Sequence, residues 1–159
     1  MINARVETVA SRPAFRRAFE RYRCLIIADG FYEWRRRPGR PKRPFHITRS
    51  DRAPFAFAGL WSLWHGEDGE ELRSCAILTT PPNVAVAPLH DRMPAILSPG
   101  AEAQWLDASM PSERLYDLLS GLPASDTALR PVGYAVNDAR CDRPECLAPA
   151  GEDLQATLF

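Results

Sequence analysis

The sequence predicts an α+β domain in which an antiparallel sheet curls into a barrel- or sandwich-like core, with a few helices packed outside it. Five strand-like runs joined by short turns fill residues 23–80, and helical patterns lie before and after them. At 159 residues and 45% hydrophobic composition, the chain is long enough for one core and short for two. We therefore expect a single domain over residues 1–150, followed by a loose tail over 151–159.

The first element is a short amphipathic helix. Ser11 is a candidate N-cap, and Pro13 would lie in the first turn. Apolar side chains then recur at helical spacing, opposite a charged face; they are Phe15, Ala18, Phe19 and Tyr22.

The strand-like runs follow this helix. They read RCLIIA, FYEWRR, FHITRS, PFAFAGLWSLW and LRSCAILTT. Asp29 and Gly30 form the turn after the first run, RPGRPKRP reads as a Pro- and Gly-rich connection, and HGEDGEE reads as a polar turn. Because the connections are short, neighbouring runs are expected to pair antiparallel.

The second half alternates loops with short elements. A proline-rich loop carries His90 and leads to a short strand over residues 95–97. Ser98 and Pro99 open a second helix that ends near Leu106, and PSERLYDLL predicts a third. RPVGYAV is a candidate closing strand.

Charge is distributed unevenly although the formal net charge is zero. From Arg12 to Arg52 there are thirteen Lys or Arg against four acidic residues, a local balance of +9, whereas Pro99 to Phe159 has a balance of −6. The first half is therefore a candidate for phosphate binding.

Composition argues against membrane, export and metal classes. No apolar run approaches the length of a membrane span, and the N-terminus has no signal-peptide core, so we expect a cytoplasmic protein without a membrane partner. CDRPEC offers two thiols, but no second pair completes a metal site, and we predict neither a metal nor a cofactor.

Two side chains suggest proton chemistry. Alternation in FYEWR puts Glu33 on one face with Phe31 and Arg35. Glu33 is either a solvated edge-strand residue paired with Arg35, or a carboxyl whose pKa is raised by apolar neighbours. His90, beside Asp91 in LHDRMP, is either an exposed polar residue or a group that transfers protons near neutral pH.

Several separated motifs occur together in the order INARVETV, PAFRRAF, RCLIIADGFYEW, LTT and LHDRMPAIL. In this order the chain resembles the SRAP family, the SOS response-associated peptidases that act on abasic sites in DNA. The resemblance runs from Ile2 to about Trp105 and resumes at PVGYAVN. It implies an SRAP-like fold, single-stranded DNA with abasic sites as the partner, and autopeptidase, DNA-crosslinking and lyase activities.

The family's site residues can be carried over by position. The resemblance implies that Asn3 orients the nucleophile, that Glu33 moves protons during sugar opening and Schiff-base formation, and that His90 assists that step and its reversal. It further implies that DNA is held by Arg5, Thr79 and Arg92.

The chain departs from the family pattern at its first residues. Family members begin Met-Cys-Gly-Arg, and the α-amine and thiol of that cysteine form a thiazolidine with the abasic aldehyde; here residue two is Ile2. A start assigned too far downstream, a gene fragment and a shortened DNA-binding variant are the three explanations. We expect this chain to retain only the acid/base and DNA-binding parts and to form no crosslink unaided.

Two other functions remain open at this stage. The first is a non-catalytic module for single-stranded nucleic acid that uses arginines, including Arg35, and stacking by Trp34. The second is a thiol hydrolase that pairs His90 with Cys75.

The last five residues, QATLF, look like the short Gln-x-x-Leu-Phe peptides that dock on the DNA polymerase sliding clamp. In that interpretation Gln155 bonds at the pocket rim while Leu158 and Phe159 fill an apolar groove. An accidental match in a frayed terminus is the alternative.

Overall fold

The computed structural model describes residues 1–119 and 121–151 and consists of two sheets with short helices. The strands are β1 (Asn3–Arg5), β2 (Arg23–Ala28), β3 (Phe31–Arg37), β4 (Arg40–Arg49), β5 (Phe55–His65), β6 (Glu71–Thr80), β7 (Met93–Pro94), β8 (Ile96–Leu97) and β9 (Thr127–Pro131). The α-helices are α1 (Pro13–Arg21), α2 (Ala101–Leu106) and α3 (Ser112–Leu115). The 3-10 helices are Val6–Thr8, Tyr116–Leu118, Ala124–Asp126, Tyr134–Asn137 and Pro144–Leu147. The predicted α+β class is confirmed.

The larger sheet has six strands in the order β1-β6-β5-β2, with β7 beside β6 and β8 beside β5. All its pairs are antiparallel except β1 with β6, where Asn3 lies opposite Ile77 and Arg5 opposite Thr79 in a parallel register. The smaller sheet is antiparallel and has the order β3-β4-β9. The sheet prediction therefore holds except at this one parallel edge.

Two apolar layers cover opposite faces of the larger sheet. The outer layer packs the helices on the sheet through buried side chains that include Phe19 of α1, Trp105 of α2 and Leu115 of α3. The inner layer lies between the two sheets, where the rings of Phe31 and Phe57 meet edge to face with centroids 6.0 Å apart. The smaller sheet is thus held against the larger one by aromatic packing.

Arg23 joins α1 and α2 from inside the outer layer. Arg23 is buried, with only 8% of the residue exposed. The guanidinium donates hydrogen bonds to the carbonyl oxygens of Phe19, Glu20, Trp105 and Asp107. These carbonyls belong to the last turns of the two helices, where no intrahelical donor remains, so one side chain satisfies both helix ends.

Three local predictions were wrong. RPVGYAV is not the closing strand, because β9 ends at Pro131 and Tyr134–Asn137 form a 3-10 helix. RPGRPKRP is not a loop, because β4 already begins at Arg40 and only Pro38 and Gly39 turn the chain, with Gly39 at φ +67°. Ser11 is not the N-cap of α1; Arg12 holds that position, and the Ser11 hydroxyl donates to the Thr8 carbonyl instead.

The close approach of the Asp29-Gly30 turn to β4 requires a glycine. A Cβ at Gly30 would lie 2.2 Å from Nε2 of the buried His46. This contact lies one residue before β3, the strand that carries Glu33. No helix among the described residues is long and apolar enough to cross a membrane. The candidate clamp-docking residues Gln155, Leu158 and Phe159 lie outside the described ranges.

Candidate functional site

Glu33 lies in the middle of β3 on the face that turns toward the larger sheet. Its Cα partner is Phe45, and both Phe31 and Phe45 pack against the inner apolar layer. Only 17% of the Glu33 side chain is exposed, and its Oε1 lies 3.9 Å from Nδ1 of His90. Of the two interpretations of Glu33, the structure therefore supports the carboxyl among apolar neighbours, and it brings together two residues 57 positions apart.

Burial raises the pKa of the Glu33 carboxyl above its ordinary value, and the charge of Asp91 raises it further. His90 and a hydrogen bond from the Trp34 backbone act in the opposite direction. Burial is the largest of these effects, because desolvation penalises the charged form. A carboxyl with a raised pKa can both accept and return a proton closer to neutrality than a solvated one, whose pKa is about 4.3.

His90 is held by its own loop in a position to exchange that proton. Its Nδ1 lies 3.0 Å from the Arg92 backbone N–H, which it can accept as a hydrogen bond when that ring nitrogen carries no proton. The Arg92 carbonyl at 3.2 Å and the Asp91 carboxylate at 3.3 Å also face Nδ1. Both oxygens are acceptors for a hydrogen bond that Nδ1 could donate, so the loop offers this nitrogen partners of both kinds.

Asn83 gives this loop its shape. Its side-chain carbonyl accepts hydrogen bonds from the backbone N–H groups of Ala85 and Val86, both at 3.0 Å. Its amide nitrogen donates to the Leu122 carbonyl at 2.8 Å and to the Thr127 hydroxyl at 2.9 Å. The Val86 carbonyl then accepts the His90 backbone N–H. The histidine is therefore fixed to the edge of β9 through one asparagine.

Pairing of β1 with β6 places the predicted site residues Asn3, Arg5 and Thr79 on the same face of the larger sheet. Ala4 is buried in the outer layer, so Asn3 and Arg5 point to the opposite face, which they share with Ile77 and Thr79. Ile77 packs on the inner layer, the layer to which Glu33 also turns. Asn3, Arg5 and Thr79 thus lie on the sheet face that is turned toward the layer containing Glu33.

Arg92 links the β1 side of the site to the His90 loop. Its guanidinium donates to both carboxylate oxygens of Glu7, at 2.6 and 3.0 Å, and to the Thr79 carbonyl. The Arg92 hydrogen bond is the largest cause of the lowered pKa of Glu7. Arg92 is 17% exposed, and its buried Nε has no hydrogen-bond partner in the described structure. A phosphate that binds Arg92 would have to share the guanidinium with the Glu7 carboxylate or displace that carboxylate.

Sequence reasoning missed Glu7, which lies in an exposed 3-10 helix and carries no pattern that marks it. The thiol hydrolase gains no support, because the described polar contacts of His90 are with Glu33, Asp91 and Arg92 rather than with Cys75. Within the described ranges, no group of three or more His, Cys, Asp or Glu side chains is arranged to hold a metal ion.

These features define an α+β protein with a carboxylate–imidazole pair between two packed sheets. Comparison with known families identifies it further: the family described as SOS response associated peptidase (SRAP) matches residues 1–139. The chain belongs to the SRAP family, and the resemblance predicted from the motifs is confirmed.

Curated relatives agree with this assignment. The chain is 42% identical over 148 residues to abasic site processing protein YoaM of Bacillus subtilis, covering 92% of this chain and 65% of that protein. It is 31% identical to abasic site processing protein YedK of Escherichia coli, covering 94% and 67% respectively. It is 34% identical to abasic site processing protein HMCES of Gallus gallus, of which it covers 49%.

Solved structures share the fold. A crystal structure of a protein from Bacteroides thetaiotaomicron matches with a TM-score of 0.85 at 27% identity, covering 94% of this chain and 66% of that one. A protein from Bordetella bronchiseptica matches with a TM-score of 0.74 at 33% identity, covering 82% and 64%. The SRAP-like architecture predicted from the sequence is therefore confirmed.

The raised pKa of Glu33 predicts a pH-dependent stability difference. Because the folded state holds the Glu33 proton more tightly than the unfolded state, stability falls as pH rises from the ordinary Glu pKa through the raised one. Glu33→Gln, which cannot ionise, should therefore unfold a few degrees higher than the parent at pH 7 and at nearly the same temperature at pH 4. Thermal unfolding across this range checks it, with the exposed Glu113→Gln as control; a constant difference at all pH values would contradict it.

Proposed function

We propose that this chain processes abasic sites in single-stranded DNA, using Glu33 and His90 to move protons at the opened sugar. The proposal rests on one observation above others, the partly buried Glu33 carboxyl with a raised pKa 3.9 Å from His90. A carboxyl with a perturbed pKa beside an imidazole is typical of catalytic sites. The abasic site processing proteins among its relatives support the choice of substrate.

The chemistry that we propose follows the family reaction. An abasic sugar opens to an aldehyde, an α-amine adds to the aldehyde carbon, and water leaves to give a Schiff base. A thiol on the same residue then adds to that carbon, and its proton goes to the nitrogen to complete a thiazolidine. Ring opening and water loss each need a group that gives and takes protons, the role assigned to Glu33, with His90 relaying them.

None of the four cysteines of this sequence can be the thiazolidine-forming nucleophile. Cys24, Cys75, Cys141 and Cys146 all have their α-nitrogens in peptide bonds, so none offers a free amine and thiol together. We infer that crosslinking, lyase and autopeptidase activity require the family's N-terminal cysteine and that this chain supplies the proton-transfer and DNA-binding parts. A chimaera that joins a relative's segment beginning Met-Cys-Gly-Arg ahead of Ile2 supplies such a cysteine.

The hairpin formed by β3 and β4 supports a DNA path leading away from the site. Arg35 lies two residues beyond Glu33 on the same face, and its Cα partner across the hairpin is Arg43. Further along, Arg37 lies opposite Arg40. These four arginines give the hairpin a local positive charge, which attracts the phosphates of a polyanion. We propose that this hairpin holds DNA phosphates flanking the abasic site.

Binding of single-stranded DNA should therefore depend steeply on salt. Each phosphate contact contributes roughly 0.7 to the slope of log affinity against log salt for single strands. Arg5→Ala and Arg35→Ala should each lower that slope by roughly one contact, whereas Arg114→Ala, which removes an exposed charge on α3, should not. Fluorescence anisotropy with an abasic oligonucleotide at several salt concentrations measures the slope. A salt-independent affinity, or no binding at low salt, would overturn the proposal.

We further propose the sliding clamp as a partner, through Gln155, Leu158 and Phe159. A terminal peptide can dock without disturbing the domain, and docking would bring the protein to replicating DNA. A fluorescent peptide GEDLQATLF should bind purified clamp, and Leu158→Ala with Phe159→Ala should abolish binding. Equal binding by the doubly substituted peptide would remove the proposal.

A further inference from the structure

Two cysteines that the proposed reaction does not use lie in contact with each other. The Sγ atoms of Cys141 and Cys146 are 3.0 Å apart, and the Cys146 thiol also donates to the Cys141 carbonyl at 3.3 Å. Cys146 is buried, with 8% of the residue exposed, whereas Cys141 is partly exposed. Both are free thiols, and the four residues between them form a short loop that ends in the Pro144–Leu147 3-10 helix.

We propose that Cys141 and Cys146 are an oxidisable dithiol that closes reversibly to a disulfide, with Cys141 as the residue attacked by peroxide and Cys146 as the residue that resolves it. Cys141 is the more accessible of the two sulfurs, so a small oxidant reaches it first. Cys146 is already in contact with it, so the second step needs no large movement of the backbone.

The reaction balances with hydrogen peroxide as the oxidant. The Cys141 thiolate attacks one peroxide oxygen, the O–O bond breaks, hydroxide leaves, and Cys141 becomes a sulfenic acid. The Cys146 sulfur then attacks the Cys141 sulfur, its thiol proton and the departing hydroxyl leave as water, and the S–S bond forms. An added dithiol reverses the change by thiol–disulfide exchange.

The residues around Cys141 and Cys146 favour redox chemistry of the two thiols over metal binding. The pair offers two sulfur ligands, and among the described residues no third His, Cys, Asp or Glu joins them in a metal-binding group. The hydrogen bond to Cys141 is the largest cause of the raised pKa of the Cys146 thiol. That bond keeps the proton on the buried sulfur, which fits Cys146 as the second residue to react.

The segment that contains Cys141 and Cys146 also contacts β3, the strand that carries Glu33. The Tyr32 hydroxyl lies 3.5 Å from the Cys146 carbonyl, and the Trp34 indole N–H donates to the Asn137 side chain at 2.7 Å. The residues on both sides of Glu33 therefore contact the segment 137–146. Closing the disulfide would fix this segment against β3.

Trypsin digestion isolates the pair from the other cysteines. Cleavage follows Arg140, Arg143 is protected by Pro144, and no Lys or Arg follows, so one peptide over residues 141–159 contains both thiols. The protein is treated with graded hydrogen peroxide, alkylated with iodoacetamide and digested. We expect this peptide to lose two hydrogen atoms in mass and to escape alkylation at peroxide levels that leave Cys24 alkylated, and dithiothreitol to restore alkylation.

Single substitutions assign the two roles. In Cys146→Ser, a sulfenic acid at Cys141 should persist and react with dimedone, whereas in Cys141→Ser the Cys146 thiol should remain reduced. Cys75→Ser, which removes an exposed cysteine of β6, should leave closure unchanged. Oxidation of Cys75 while the peptide over 141–159 stays fully alkylated would overturn the proposal, as would dimers linked through Cys141.

Discussion

Replacing Glu33 by glutamine is expected to slow DNA crosslink formation about 100-fold in the chimaera that carries the family's N-terminal cysteine. General acid–base catalysis typically contributes 10²- to 10⁴-fold, and glutamine keeps the size and hydrogen-bonding capacity of Glu33 without its titratable proton. The side chain is 17% exposed beside His90, so water replaces its function poorly. The effect should fall on the rate rather than on DNA affinity, because the carboxylate does not attract phosphate.

The rate is measured by quenching the reaction of chimaera and abasic oligonucleotide at timed intervals and resolving the adduct on a denaturing gel. Glu113→Gln makes the same chemical change at an exposed position of α3 and should leave the rate unaltered. His90→Gln should slow the reaction less than Glu33→Gln, since His90 is the partner in the relay. A Glu33→Gln chimaera that reacts at the parental rate would remove Glu33 from the mechanism.

Replacing Arg23 by methionine is expected to lower the free energy of unfolding by about 3 kcal/mol, because hydrogen bonds from a charged group contribute about 1.5–3 kcal/mol each and water can compensate for only part of the loss. Methionine keeps the apolar stem of Arg23 but leaves the four carbonyls at the ends of α1 and α2 without their donor. The guanidinium also lies 5.7 Å from the centroid of the Trp105 ring, and this cation–π contact is lost too.

Urea unfolding followed by tryptophan fluorescence measures this difference. Arg21→Met changes the same residue type on the exposed face of α1 and should alter stability by less than about 0.5 kcal/mol. Arg23→Lys should fall between the two, because one ammonium cannot reach carbonyls on two helices. Equal stability of Arg23→Met and Arg21→Met would show that Arg23 does not join the helices.

The strands were largely predictable because their signal is local. The continuous apolar runs in RCLIIA and LRSCAILTT became β2 and β6 within one residue of the predicted ends. The exception, RPGRPKRP, contains proline and many charges, both of which oppose strand formation in isolation. It became the start of β4 because β3 pairs with it, and that pairing is a tertiary effect invisible in the segment itself.

The sequence indicated which residues belong to the site, but it did not indicate which of them contact each other. Alternation placed Glu33 beside Phe31, and the motif order identified His90, but the 3.9 Å contact depends on Asn83 fixing a distant loop to β9. Glu7 could not be predicted, since its pairing with Arg92 depends on the parallel register of β1 against β6, which three residues cannot encode as a pattern.

The most direct test of the central claim is a denaturing gel of an abasic single-stranded oligonucleotide incubated with three proteins. These are the 159-residue chain, the chimaera with the N-terminal cysteine, and the same chimaera with that cysteine replaced by serine. We expect a heat-stable protein–DNA adduct with the cysteine chimaera alone. The absence of an adduct with the cysteine chimaera, although it folds and binds the oligonucleotide, would contradict the claim that Glu33 and His90 serve this reaction, and a heat-stable adduct with the 159-residue chain would show that the nucleophile is another residue.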